Sequence, residues 1–230
     1  MGKVEVKVKF ETITPLWTGD AWMENREIRP SAILGSLRFW FEVICYFSGI
    51  VNEIDFDKNK GRFEKEVKQN EFRDFFKTHG STFKCKIDAL LKQGIPVSAI
   101  VFGTTGWGSL IKIKEINYLE NYSFGNSLNL PRRICISKNN SEVKEGKECP
   151  KKSNEDWSVF YFGIPYFWGS FQANFTVEEE ILKSIFYPLL VFMDRYGYWG
   201  GKWNMGYGRL KVSEIQRDNK TIDNWKREEL

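Results

Sequence analysis

Apolar and polar residues alternate from the start of the chain, with Val4, Val6, Val8 and Phe10 interleaved by Glu5, Lys7, Lys9 and Glu11. A period of two buries one face of a strand and wets the other, so residues 4–13 are predicted to be a strand, ended by Thr14-Pro15. After Pro30-Ser31 the period changes, and Ile33, Leu37, Trp40, Ile44 and Phe47 recur at steps of four and three. This predicts a helix with one apolar stripe, proline in its first turn, Ser31 able to cap it, and Arg38 and Glu42 on the opposite flank. Helical spacing returns over 61–78 and 81–93. A glycine-punctuated turn, AIVFGTTGWGS, then leads into an alternating strand over 110–118.

Further on, Phe167, Gly169, Phe171, Ala173 and Phe175 share one face of a strand, and Trp168, Ser170, Gln172 and Asn174 share the other. Thr176 and Glu179 form a capping-box pattern before the last long helix, whose apolar face is Leu182, Ile185, Leu189, Phe192 and Met193. Pro188 should kink that helix, and Gly197 should close it. Leu210 to Ile215 give a final strand. The order is strand, helix with an inserted helix pair, strand, strand, helix, strand. This predicts an α+β, ferredoxin-like (RRM-like) split βαβ domain over 1–216, with insertions at about 50–108 and 120–156 and a charged tail at 217–230.

At 230 residues the chain has room for a substantial core. No run of 18 apolar residues exists, so no spanning helix is predicted. The opening residues lack the apolar stretch of a signal peptide, and a cytoplasmic location is expected. Cys45, Cys85, Cys135 and Cys149 lie far apart without a CxxC pair, and His79 is the single imidazole. Zinc sites need clustered ligands, so neither metal nor other cofactor is expected, and the cysteines read as buried or incidental thiols. Between Pro131 and Lys152 seven basic residues, Arg132 and Arg133 among them, face three glutamates. That surplus of four equals the net charge of the whole chain, +4, and marks a positive patch on a near-neutral body.

The segment GYWGGKWNMGYG, from Gly197 to Gly208, concentrates the candidate chemistry. Glycine admits positive φ and close backbone approach, and successive N–H groups in such a loop can cradle an anion. Aromatic faces such as Trp203 and Tyr207 could stack on bases, while Lys202 and Arg209 could meet phosphate. The spacing is neither the dinucleotide fingerprint nor a Walker loop. A hairpin whose aromatics cover the core is the alternative reading. At the first helix, Arg29 and Arg38 could flank an anion at the helix N-terminus, and Gly35 would be explained by a strand or a phosphate backbone approaching closely.

Three stretches together carry a family resemblance: ETITPLWTGD after the first strand, IRPSAILGSLRFWFEVI at the first helix and GGKWNMGYGRL after the last. They resemble the RAMP superfamily of CRISPR proteins, and within it most the first RAMP subunit of the type III-B Cmr complex. VFGTTGWGSLIKI is similar to that family's phenylalanine-glycine turn. The resemblance implies a non-catalytic RNA-binding subunit for antiviral defence, at the head of the complex near the 3′ end of the guide RNA. Its implied partners are guide RNA, target RNA and other Cmr subunits, especially a neighbouring RAMP subunit, with no membrane. Arg29, Ser31, Gly35 and Arg38 match the helix motif, and Gly200, Gly201, Lys202, Gly206 and Gly208 match the loop. Two alternatives stay open. One is a RAMP endoribonuclease using His79 or Asp20, and the other a protein–protein cap using Trp17, Trp22 and the basic insertion.

Overall fold

The computed structural model describes residues 2–19, 25–125, 133–161, 165–222 and 225. Its centre is a sheet of β1 (Lys3–Thr12), β2 (Ile111–Tyr118), β3 (Ser170–Glu178), β4 (Leu210–Arg217) and the short β5 (Lys220–Thr221). The order across the sheet is β5-β4-β1-β3-β2, and every neighbouring pair is antiparallel. The register follows from burial. Val6 opposes Phe175, Val8 opposes Ala173 and Phe10 opposes Phe171, so the apolar positions of both strands fall on one face. A slip of one residue would turn that whole set to water. Ile111, Ile113 and Ile116 extend the face across β2, and Val212 and Ile215 across β4.

Helix α1 (Pro30–Phe47) follows β1 and lays Ile33 and Leu37 into this core. The segment 48–110 holds α2 (Gln69–His79), α3 (Phe83–Lys92) and α4 (Val97–Phe102). The helix expected over 61–78 begins only at Gln69. Arg62–Phe63 instead pairs with Phe56–Asp57 in a small hairpin, and Glu64 is gripped there by three cations. Helix α4 replaces part of the turn expected there, and its Ala99, Ile100 and Val101 bury against the core.

The last helix differs from expectation at its start. Thr176 is still in β3, the N-cap is Glu178 and no side chain caps the turn. A wide π turn at Leu182–Phe186 then leads into α5 (Tyr187–Arg195). Pro188 sits in the first turn of α5, and the irregularity falls just before it.

Residues 133–161, most of them in the insertion expected at 120–156, form a separate three-stranded sheet of Arg133–Ser137, Val143–Glu145 and Trp157–Tyr161. Within it Cys135 and Cys149 are disulfide-bonded, with Cα atoms 5.5 Å apart. Their spacing hid the pair because only the hairpin turn between them brings the two together. Nor is the tail simply charged and frayed. Lys220–Thr221 pairs with β4, and the Trp225 side chain packs in the main core.

Candidate nucleic-acid interface

The loop after β1 is set by a buried polar knot. The Thr18 and Asn25 side chains are both buried. The Asn25 amide accepts from the Thr18 N–H at 3.0 Å and donates to the Leu16 carbonyl at 3.2 Å. The Thr18 hydroxyl accepts from the Arg29 N–H at 3.2 Å. This knot fixes where α1 starts. Arg29 is its N-cap, Pro30 occupies the first turn, and no acidic residue lies there to neutralise the positive end of the helix dipole. Ser31 is exposed and makes no cap. Asp20 and Trp22 lie outside the described residues.

The glycine loop crosses both this segment and α1. The Gly200 N–H donates to the Ser36 hydroxyl at 2.9 Å, and that hydroxyl donates to the Ala32 carbonyl at 2.8 Å. The Trp40 indole donates to the Tyr198 carbonyl at 3.1 Å. The Gly201 N–H donates to the Trp17 carbonyl and the Gly208 N–H to the Pro15 carbonyl, both at 2.8 Å. Two glycines are required by this crossing. A Cβ on Gly200 would stand 2.2 Å from the Trp17 carbonyl oxygen, and one on Gly208 would stand 2.1 Å from the Trp199 carbonyl oxygen. Both also have positive φ, 69° and 90°.

Most of the loop amides that the sequence suggested as a free cradle are taken up by the chain itself. The N–H groups of Trp199, Gly200, Gly201, Met205, Gly206, Tyr207 and Gly208 all donate within the protein. The aromatics are mostly engaged as well. Trp199 is fully buried against Phe10, and Trp203 lies 5.1 Å from Phe39 and 6.0 Å from Trp40, centroid to centroid. Tyr207 is half-buried beside Tyr166, and burial pushes its hydroxyl pKa up. Lys202 and Gly206, both left-handed, bracket the single turn Trp203–Met205. The Lys202 ammonium rests 5.1 Å over the Trp17 ring, and Gly206 is exposed.

The arginines divide. Arg38, expected on the flank of α1 opposite its apolar stripe, points its guanidinium into the protein. It donates to Glu42 at 2.8 Å, to the Gly103 carbonyl at 3.0 Å and to the Phe63 carbonyl at 3.2 Å, and it lies 3.6 Å from Glu64. Burial raises the Glu42 pKa against the pull of Arg38. Burial alone would raise Glu64 too, but Lys60, Arg62 and Arg38 bring it below the ordinary carboxylate value. Arg209 donates to the carbonyls of Gly197, Asp194 and Arg195, closing the C-terminus of α5. Arg133 donates to the Gly146 carbonyl within the separate sheet, and Arg132 lies outside the described residues.

Gly35 remains on the open side of α1, exposed, with nothing within 4 Å of where a Cβ would stand. The structure thus ties the glycine loop to α1 through the Ser36–Gly200 bond, with Ser31 and Gly35 exposed on that helix and Arg38 held inside. Ser36 is not among the candidate site residues of the sequence, and Trp17 is named there only for a protein–protein cap. The available signal was the position of Ser36, next to Leu37 on the buried side of the helix.

His79 ends α2, where its ring stacks on Phe75 at 4.1 Å and contacts the Phe75 carbonyl at 3.1 Å. Among the described residues no group of three or more His, Cys, Asp or Glu is placed to hold a metal ion, and no helix is long and apolar enough to cross a membrane.

A family model described as the RAMP superfamily matches residues 9–211. No curated protein matches the chain. Among solved structures, the chain is similar to one in a cryo-EM structure of the type III-B Cmr-beta bound to cognate target RNA, at 14% identity and a TM-score of 0.43. That match covers 94% of this chain and 60% of the other, so this chain spans about three fifths of that one. It is also similar to the crystal structure of Cmr6 from Pyrococcus furiosus, at 15% identity and a TM-score of 0.42, covering 90% of this chain and 97% of that one.

Proposed function

The chain belongs to the RAMP superfamily, and from that membership we propose that it is a non-catalytic, RNA-contacting subunit of a type III-B CRISPR effector complex. Its place would be the head of the complex near the guide 3′ end, beside another RAMP subunit and in the cytoplasm. The sheet order β4-β1-β3-β2, with helices after the first and third of the principal strands in sequence, supports the ferredoxin-like reading.

The RNA surface we assign is the start of α1 together with the adjoining edge of the glycine loop. One observation carries it. Gly35 sits inside a helix, where glycine costs about 1 kcal/mol relative to alanine, and no atom of this protein occupies the space it leaves open. A phosphate backbone approaching the positive end of α1 is a physical reason for that glycine, and Lys202, on the loop that Gly200 bonds to Ser36 of the same helix, would supply counter-charge. Base identity would be left to guide–target pairing, because contacts to phosphate position a strand without reading it. Arg38 is withdrawn from this role, since its donors are taken up by Glu42 and the Gly103 and Phe63 carbonyls.

The test is crosslinking of the assembled complex followed by salt-dependent binding of the Lys202→Ala variant. Crosslinks should map to 29–36 and 202–204, and the slope of log affinity against log salt should fall by about one. Crosslinks confined to the separate sheet, with an unchanged slope, would contradict this surface.

A further inference from the structure

Along α1 between Ser31 and Cys45, only Ser31, Gly35 and Phe39 are exposed, each four residues after the last. Helical spacing puts the three on one face, in successive turns about 6 Å apart along the axis. Serine and glycine leave that face low. Phe39 then raises a large apolar ring on it, and the residue is 43% exposed. Two indoles hold the ring. Trp40 meets it edge-on at 5.4 Å, and Trp203 of the glycine loop lies 5.1 Å away at an interplanar angle of 57°. A ring fixed in this way, yet left partly open, loses little freedom when another flat group stacks on it.

We propose that Phe39 stacks an unpaired base of the RNA strand whose backbone passes Gly35. This rests on the RNA surface assigned above and adds to it the state of the strand. A phosphate held at the Gly35 turn leaves a base of the same strand within reach of the next turn on that face, which Phe39 occupies. In a duplex the faces of each base are covered by its neighbours, so a base that stacks on a side chain is an unpaired one. Every base has a π face, so the contact selects single-stranded RNA without selecting a sequence. Gly35 and Phe39 then divide the nucleotide between them, backbone at one and base at the other.

Affinities of the full chain for an unstructured RNA, and for the same RNA annealed to its complement, test the proposal. The parent should favour the single strand. Phe39→Leu keeps an apolar side chain but no π face, and it should weaken single-strand binding about tenfold, bringing it towards the duplex value. The slope of log affinity against log salt should not change, because no phosphate contact is lost. Phe39→Tyr, which keeps the ring, should bind as the parent does. Irradiation of an iodouridine-containing single strand should crosslink Phe39. Equal affinity of the parent for both RNAs, a Phe39→Leu variant that binds the single strand as tightly as the parent, or an equal loss in Phe39→Tyr would each overturn the proposal. If Lys202→Ala still lowers the salt slope in those cases, the RNA surface stands and only the base contact falls. A parent that binds neither RNA would overturn both.

Discussion

The Gly200 N–H and the Ser36 hydroxyl, 2.9 Å apart and 164 residues apart in sequence, join the loop after the last helix to the first helix. Ser36 is buried and its own proton is committed to the Ala32 carbonyl, so the bond has a fixed direction. A side chain on Gly200 would displace the Trp17 carbonyl and break this junction. Gly200→Ala is therefore expected to lower the thermal midpoint by several degrees or more, whereas Gly35→Ala, which meets open space, should raise it. For scale, 1 kcal/mol moves the midpoint of a domain of this size by roughly 2–4 °C. Thermal melts of the two variants side by side check this.

Arg38 holds two carboxylates that are almost fully withdrawn from water, Glu42 and Glu64. Removing Arg38 leaves Glu42 buried without its ion-pair partner while Glu64 keeps Lys60 and Arg62, so the cost falls at the low end for a broken buried pair, about 3 kcal/mol. Arg38→Ala should cut the free energy of unfolding by that order in a denaturant titration. Loss of RNA binding in this variant would then report misfolding and not a lost contact.

The same network gives a pH dependence. The Glu64 pKa is depressed in the folded protein, so its contribution is present above its unfolded pKa and is lost as pH falls through the folded value. Glu42 has the opposite shift: burial favours its protonated form, so acidification through its raised pKa restores some stability. Glu64→Gln should therefore lose stability at neutral pH and show a flatter acid decline than the parent. Denaturation midpoints measured from neutral pH to about pH 3 decide it, that range spanning the ordinary carboxylate pKa values.

The four cysteines should react in three classes. Cys85 is partly exposed and should titrate promptly with a thiol reagent. Cys45 is buried and its pKa is pushed up to about 11, so it should react only on unfolding. Cys135 and Cys149 should appear only after reduction. Because their sheet is separate from the main one, reduction should raise hydrogen exchange in 133–161 while leaving β1 and β3 protected.

The central sheet was legible because period-two alternation survives wherever one face is buried and the other wet. The runs from Val4 to Phe10 and from Phe171 to Phe175 occupy strands at the expected faces. The glycine loop was legible as a place of close approach, but not in what approaches. Its spacing cannot distinguish a phosphate from the Trp17 carbonyl, and the carbonyl is what the structure brings there. Arg38 misled for a similar reason. Helical spacing from Glu42 shows which residues share a flank, whereas its burial depends on Phe63, Glu64 and Gly103, elements distant in sequence. The disulfide and the packing of Trp225 depend likewise on contacts that no local pattern carries.

The most direct measurement of the RNA assignment is the affinity of Gly35→Leu for guide RNA, read beside its thermal midpoint. Leucine is a better helix former than glycine and extends into open space, so the protein should be at least as stable as the parent. The account predicts that RNA affinity nevertheless falls by about tenfold, the equivalent of 1.4 kcal/mol, because the strand can no longer approach the helix backbone. A variant that melts no lower than the parent and binds RNA equally well would contradict it.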